Sequence, residues 1–271
     1  MNIYPFKTQI LFSVVFVLGG WVFAAPIAID QFDYAGGESL SGKGSALDAG
    51  WGGAWTSADW NVLSGGSLTG TDATSSVAGN LVVGSGSGRV YREFDTTYSD
   101  ATTQTLYMSF IRQDSSTVAS RYMAFELNFG GNHDSFRTFQ LGALSADGGG
   151  NPADVWARAN NDTVSETLGA RNTHAEFFVV EFNLVNGGDD TINIWRNPTT
   201  AELLSSADAS ITVDSLSFDR VALASWGTSS LSMDEFRFGT SITDVAVIPE
   251  GSSLMLVGLA LGTLLIWRRR K

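Results

Sequence analysis

Three tryptophans near the start of the chain could bind a sugar. Trp51, Trp55 and Trp60 lie within ten residues of one another, and an indole ring has a large apolar face with a polar edge. If the rings are exposed, they could stack on sugar rings. The alternative is packing between two sheets, since large aromatic side chains are mostly buried.

Clustered acidic residues could bind a metal ion. Asp189 and Asp190 follow Asn186-Gly187-Gly188, and their oxygens are of the kind that calcium prefers. A tight hairpin turn uses the same residue types, because their side chains bond to nearby backbone groups. Both a calcium site and an ordinary turn are therefore open at this position.

The sequence lacks the patterns of common catalytic sites. The chain has no cysteine, and its two histidines, His133 and His174, could hold zinc only with the help of carboxylates. Glycosidases of sandwich folds place carboxylates along one strand as Glu-x-Asp-x-x-Glu, whereas Glu126 stands alone in its segment. No Gly-x-Ser-x-Gly elbow is present. We therefore predict no catalytic residue and no enzyme activity.

The charge balance excludes two classes of partner. The 271 residues include 28 acids and 16 bases, which give a formal net charge of −12. A chain so acidic opposes electrostatic binding to nucleic acids or to an anionic membrane surface. The absence of cysteine also excludes a small disulfide-stapled fold.

Short apolar runs separated by Gly, Asn, Asp and Ser predict an all-β domain. In the segment 125–129 every second residue is apolar, which predicts one buried face, whereas 177–180 is apolar throughout and predicts a central strand. The only predicted helix is 200–206. Asp234 and Arg237 are expected to stabilise the edge of the last strand. The predicted strands are 81–83, 89–94, 105–112, 122–129, 136–142, 155–159, 176–184, 191–196, 218–225 and 231–238.

Ten strands in about 200 residues are too many for one open twisted sheet, so we expect two stacked sheets in a jelly-roll sandwich. No fixed-period repeat and no linker divides the middle of the chain, which indicates one domain over 25–245.

Both termini carry features of targeting segments. Residues 1–24 contain one early cation, Lys7, then an apolar stretch and small residues before Pro26, which is the order of a cleavable signal peptide. Residues 254–267 are uncharged and would form a helix of about 21 Å, short of a bilayer core of about 30 Å. The terminal basic cluster would keep that end in the cytoplasm; it consists of Arg268, Arg269, Arg270 and Lys271.

The last segment, 246–271, resembles the PEP-CTERM sorting signal of Gram-negative bacteria that make extracellular polysaccharide. Pro249 and Glu250 precede a small-residue spacer, the apolar stretch and the basic end, with Gly251 in place of the usual second proline. The resemblance implies that signal peptidase and an exosortase-type protease process the chain. It also implies transient anchoring in the inner membrane and delivery to the envelope, the outer surface or the extracellular matrix.

Three segments of the middle are similar to the concanavalin A-like lectin/glucanase superfamily in its LamG-type form. They are 190–198, which ends in Asn-Pro, 233–240, and the pair 32–34 with 50–55. This resemblance implies a two-sheet jelly-roll sandwich, which is the fold already expected from the number of strands. It also implies a lectin-like binding role. We therefore expect a non-catalytic exported protein that associates with polysaccharide; the alternatives are a glycan-degrading enzyme of the same fold and a structural adhesin.

Overall fold

The computed structural model describes residues 26–56, 60–63, 66, 68–70, 80–85, 88–117, 122–131, 137–143, 153–160, 163–226 and 230–246. The predicted signal peptide and sorting helix lie outside these residues, together with Pro249, Glu250 and the basic cluster at 268–271. Within the described residues, no helix combines the length and the apolar character that a membrane span needs.

The described residues form antiparallel strands with one 3-10 turn, Glu202–Leu204, and one short helix, α1 (Ile242–Val245). The strands are β1 (Ala28–Asp30), β2 (Trp60–Leu63), β3 (Leu81–Ser85), β4 (Gly88–Ser99), β5 (Gln104–Asp114), β6 (Tyr122–Asn128), β7 (Arg137–Ala143), β8 (Asp154–Ala159), β9 (Val164–Ala170), β10 (Glu176–Leu184), β11 (Asp190–Arg196), β12 (Ala209–Val213), β13 (Ser217–Trp226) and β14 (Ser230–Gly239).

The strands build two stacked sheets. Sheet I has the order β12-β11-β10-β5-β14-β3-β2, with β1 also paired to β14, and sheet II has the order β4-β13-β6-β7-β8-β9. All pairings are antiparallel. The predicted fold class, an all-β jelly-roll sandwich of two sheets, is confirmed.

The main core lies between the sheets and is rich in aromatic rings. Phe110 of sheet I stacks on Phe125 of sheet II with ring centroids 4.5 Å apart, and Phe139 meets Phe182 edge to face at 5.5 Å. Aromatic pairs in such geometries add stability beyond the apolar area that they bury. These contacts hold the two sheets in a fixed relation, so that the outer face of each sheet is a rigid platform.

The predicted central strand is confirmed in β10. Phe178 and Phe182 point into the main core, while Phe177 and Val179 lie under a second, smaller cluster on the outer face of sheet I. Because both faces of this strand are covered, its sequence shows no alternation.

Every predicted strand has a counterpart in the structure, while β1, β2, β9 and β12 were not predicted. These four are short or polar: β9 reads VSETLGA and has no fully buried residue. The predicted helix at 200–206 is reduced to the single turn Glu202–Leu204.

The last strand, whose edge Asp234 and Arg237 were expected to stabilise, is an interior strand of its sheet. β14 lies inside sheet I, between β5 and β3. Asp234 is buried there and its Oδ2 accepts a hydrogen bond of 2.9 Å from the backbone N–H of Leu68, while Arg237 Nη2 lies 3.3 Å from Glu235 Oε2. The two residues thus stabilise an interior strand and the loop that crosses it.

Candidate functional site

The outer face of sheet II carries an unusual layer of polar side chains. In β6, Phe125 and Leu127 point into the core, so the alternating residues Glu126 and Asn128 point outward. The register of sheet II then sets Glu126 opposite Gln140. We call this surface the polar face; its residues are Arg89, Tyr122, Glu126, Asn128, Arg137, Gln140, Trp156, Arg158 and Trp226.

Glu126 is the buried centre of the polar face. Its residue is 0% exposed, and Arg89 Nη2 donates a 3.1 Å hydrogen bond to Oε1. Arg89 Nε lies 2.8 Å from Oε2, a charge contact in which the N–H is not aimed at the oxygen. Burial raises the pKa of Glu126, and the nearby Arg89 charge opposes that rise. The Arg89 charge is therefore the strongest influence that favours the ionised form of this carboxyl group.

Tyr122 connects the carboxylate to the neighbouring strand. Its hydroxyl is hydrogen-bonded to Glu126 and lies 2.6 Å from Gln140 Oε1, and the single phenolic proton can go to only one of these acceptors. Arg137 Nη1 donates to the same hydroxyl at 3.3 Å. Burial, and then the charge of Glu126, raise the pKa of Tyr122 well above its ordinary value. Tyr122 therefore stays a neutral phenol at physiological pH.

An aromatic and cationic wall stands beside this cluster. The guanidinium of Arg89 lies 5.0 Å from the ring centroid of Trp226, and the Tyr122 ring meets Trp226 edge to face at 5.2 Å. Cation–π contact and the ion pair together fix Arg89 in one position. A ring or a carboxylate of a ligand would meet preorganised partners here.

Asn128 is the least satisfied group of the polar face. It is 0% exposed, and neither its Nδ2 nor its Oδ1 has a hydrogen-bond partner among the described residues. A buried polar group without a partner costs about 1–3 kcal/mol. A bound ligand that supplies a partner to this amide would recover that cost.

The sugar-contact hypothesis for the three tryptophans is wrong. Trp51, Trp55 and Trp60 are 1%, 2% and 1% exposed and belong to the main core. The N–H groups are used internally: Trp55 Nε1 donates to Asp30 at 2.7 Å, and Trp51 Nε1 donates to a backbone carbonyl at 3.0 Å. With their rings covered and polar edges satisfied, they stabilise the fold, as the packing alternative held.

The described residues give no support to the calcium hypothesis at Asp189 and Asp190, which stays a prediction. Asp190 is buried, and its two oxygens accept hydrogen bonds from the backbone N–H groups of Val185 at 2.7 Å and Leu216 at 2.6 Å. Asp189 is exposed and does not join it. Among the described residues, no group of three His, Cys, Asp or Glu side chains could hold a metal ion. The residues form the ordinary turn that was the alternative.

Sequence reasoning missed the polar face because its members come from five strands that are separate in the sequence. The sequence shows Glu126 only as a carboxylate that stands alone in its segment, and Trp226 is half-buried on the outer face of sheet II. The available signal was the alternation of Glu126 and Asn128 with the core residues Phe125 and Leu127 in β6. His174 is exposed, and His133 lies outside the described residues.

No family model and no curated protein matches this chain. Among solved structures, it is similar to an endo-beta-1,4-glucuronan lyase from the fungus Trichoderma reesei, with 11% identity, a TM-score of 0.43, and coverage of 66% of this chain and 89% of that chain. A glycosyl hydrolase family 16 protein from Mycobacterium smegmatis has 11% identity and a TM-score of 0.40, over 79% of this chain and 100% of that one. The binding domain of botulinum neurotoxin serotype G has 11% identity and a TM-score of 0.41, over 73% of this chain and 46% of that one.

Proposed function

We propose that the polar face binds an acidic polysaccharide. The observation that carries the proposal is the placement of Arg89 and Arg137 beside one buried carboxylate, Glu126, in a chain whose net charge is −12. Arg158 lies on the same face, opposite Gln140 and two strands from Glu126. Guanidinium groups bind carboxylates through paired, charge-assisted hydrogen bonds. The concentration of arginines on one face of an acidic protein favours an anionic chain at that face alone.

The neutral groups of the polar face suit the rest of such a ligand. The buried amide of Asn128 offers both a donor and an acceptor, and the half-buried ring of Trp226 offers an apolar surface. A uronic acid residue has hydroxyls, a carboxylate and apolar C–H groups on one ring. Each part would find a partner of matching chemistry.

We propose further that the protein reaches this ligand outside the cell without itself being an enzyme. Residues 1–24 would direct export, and residues 246–271 would hold the chain briefly in the inner membrane until an exosortase-type protease releases it. After removal of both ends, residues 26–248 carry 11 bases and 27 acids, so most of the surface would repel an acidic polymer. Binding would then be confined to the polar face.

Calorimetric titration of the domain with polygalacturonate and with the neutral glucan laminarin tests this proposal. We expect polygalacturonate to bind and the affinity to fall steeply with added salt, because the contact is ionic. Arg137→Gln should weaken the binding about tenfold, whereas Lys43→Gln, the same loss of charge at an exposed loop, should leave it within about twofold. Equal affinity for the two polymers, or equal effects of the two variants, would contradict the proposal.

A second function, elimination from a uronic acid polymer, is favoured by Tyr122. In such a reaction Glu126 would accept the proton beside the uronate carboxylate, a C=C bond would form, and the C–O bond to the leaving oxygen would break. Tyr122 would give its phenolic proton to that oxygen, and the proton on Glu126 would then return to Tyr122 through the hydrogen bond between them. Tyr122 is a neutral phenol between Glu126 and Gln140. The arginines of the polar face would bind the carboxylate of the uronate. Hydrolysis by two carboxylates is less suited, since Glu126 is the one carboxylate of this hydrogen-bonded cluster within the described part of the chain.

Ultraviolet absorbance of the unsaturated product separates the two functions. If the domain is a lyase, incubation with polygalacturonate should produce this absorbance, and Tyr122→Phe should abolish it while binding persists. A binding protein would give calorimetric heat without any product.

A further inference from the structure

The outer face of sheet I carries a groove on the side of the sandwich opposite the polar face. The register of four strands sets Ser210 of β12, Asn193 of β11, Glu181 of β10 and Tyr107 of β5 side by side in one row. Loop 205–207 and the first residue of α1, Ile242, close its sides. The groove has a volume of about 600 Å³, within the usual range for sites of small ligands.

Hydrogen bonds fix the polar row. Ser210 Oγ donates to Asn193 Oδ1 at 2.9 Å, Asn193 Nδ2 donates to Glu181 Oε1 at 2.9 Å, and the Tyr107 hydroxyl is bonded to the same carboxylate. Each side chain is thereby held in one orientation. Their unused donors and acceptors could bind a ligand at little cost in conformational entropy, because the side chains are already fixed.

Apolar side chains form the rest of the groove. Trp195, Leu203 and Ile242 line it and belong to the smaller hydrophobic cluster. Trp195 is 5% exposed, and its Nε1 is a buried donor with no acceptor among the described residues. An unmet indole N–H next to a groove points to a ligand oxygen that would accept from it.

The charge of the groove differs from that of the polar face. Among the described residues that line it there is no Lys, Arg or His, and Glu181 is the one carboxylate. Burial, and then Glu181, raise the pKa of Tyr107 to about 12, so the phenol is neutral. An anionic ligand would be repelled, while a neutral ligand with many hydroxyls would find amide, hydroxyl and carboxylate partners on one side and apolar contact on the other.

We infer that this groove binds a neutral saccharide unit through Asn193, Ser210 and Trp195. The inference does not depend on the polar face, because the two sites lie on opposite sheets and take ligands of different charge. A protein with both sites could hold an acidic chain and a neutral chain at the same time.

Amide and indole NMR spectra during titration with neutral hexasaccharides test the inference. Cellohexaose, laminarihexaose and maltohexaose serve as probes, and the indole signal of Trp195 is assigned by its loss in Trp195→Phe. We expect at least one probe to shift this signal. Ser210→Trp, which fills the groove from an exposed position, should weaken that binding at least tenfold. Thr212→Trp, equally exposed on the same face of β12 but outside the groove, should change it less than twofold.

Either of two results would overturn the inference: no hexasaccharide shifts the Trp195 signal, or Ser210→Trp binds as tightly as Thr212→Trp. If polygalacturonate shifts the Trp195 signal and no neutral probe does, the groove binds an acidic ligand and the inference of a neutral one is wrong. Failure here leaves the polar face untouched, because its own test uses an acidic polymer and substitutions on sheet II.

Discussion

The outer faces of the two sheets solve the same structural problem in different ways. Each sheet turns one face to the shared core and needs polar side chains at outward positions. Sheet II places a buried carboxylate, Glu126, against Arg89, whereas sheet I places the half-buried Glu181 against the amide of Asn193 and the phenol of Tyr107. On sheet II the carboxylate is paired with a cation, whereas on sheet I it accepts hydrogen bonds from neutral donors. We expect this difference to determine the charge of the ligand that each face can bind.

Each face also retains a buried polar group without a partner in the described part of the chain. On sheet II it is the amide of Asn128, and on sheet I it is the indole N–H of Trp195. Groups of this kind are rare in folded proteins because they cost stability. Their positions mark the place where each face would gain most from a ligand.

The largest expected effect comes from removing the cation of the buried pair. Arg89→Ala leaves the Glu126 carboxylate buried without its main counter-charge, which should lower the free energy of unfolding by about 3–5 kcal/mol. Glu181→Gln on sheet I should lower it by less than about 1 kcal/mol, since that group is half-exposed. Urea denaturation measures both. If adding Glu126→Gln to Arg89→Ala restores none of the stability, the loss does not come from the stranded carboxylate.

Replacing an asparagine by leucine should change the stability of the domain in opposite directions on the two faces. Asn128→Leu removes two polar atoms that have no partner, so it should stabilise the domain by about 1–2 kcal/mol and weaken the binding of polygalacturonate. Asn193→Leu breaks bonds to Ser210 and Glu181, so it should destabilise the domain by about 1 kcal/mol. Thermal denaturation and calorimetry measure both variants. Destabilisation of the domain by Asn128→Leu would show that this amide is satisfied.

The raised pKa of Glu126 predicts a dependence on pH. Between the ordinary pKa of a glutamate and the raised value, the folded state keeps a proton that the unfolded state has lost. The contribution of Glu126 to stability is therefore fully present below about pH 4 and declines as the pH rises through the raised pKa. The free energy of unfolding of the wild type, minus that of Glu126→Gln, should therefore decrease as the pH rises. An increase of this difference with pH would show that folding lowers the pKa of Glu126 and does not raise it.

Tyr107→Phe should have the smallest effect. Loss of one hydrogen bond to a carboxylate should cost about 1 kcal/mol. Tyr98 and Tyr107 both have a pKa raised to about 12, and the variant should lose one of these two titrations, which a spectrophotometric titration measures. Because the folded pKa is raised, the stability that this phenol contributes is present below about pH 10 and lost above it. An unchanged titration would show that Tyr107 does not carry the raised pKa.

The strands could be predicted from the sequence, but the sites could not. Alternation within β6 and the continuous apolar run of β10 are local patterns, so each strand follows from its own residues. The polar face and the groove depend instead on register: Glu126 meets Gln140, and Asn193 meets Ser210, only because the strands pair in one alignment. That alignment is a property of the whole sandwich.

The site hypotheses at the tryptophans and at Asp190 both rest on local features of the sequence. Trp51, Trp55 and Trp60 were judged by residue type, and the same residue type serves a core as well as a sugar platform. Asp190 was judged by its neighbours in sequence, yet one of its two oxygens binds the backbone N–H of Leu216, 26 residues away. Only the three-dimensional arrangement separates a structural carboxylate from a ligand site.

Chemical-shift mapping with polygalacturonate is the most direct test of the central claim that charge on sheet II selects an acidic chain. The account predicts shifts in the backbone amides of β6, β7 and β8 and at the C-terminal end of β13, with β11 and β12 unchanged. Shifts that centre on β11 and β12, or no shift at saturating polymer, would contradict it.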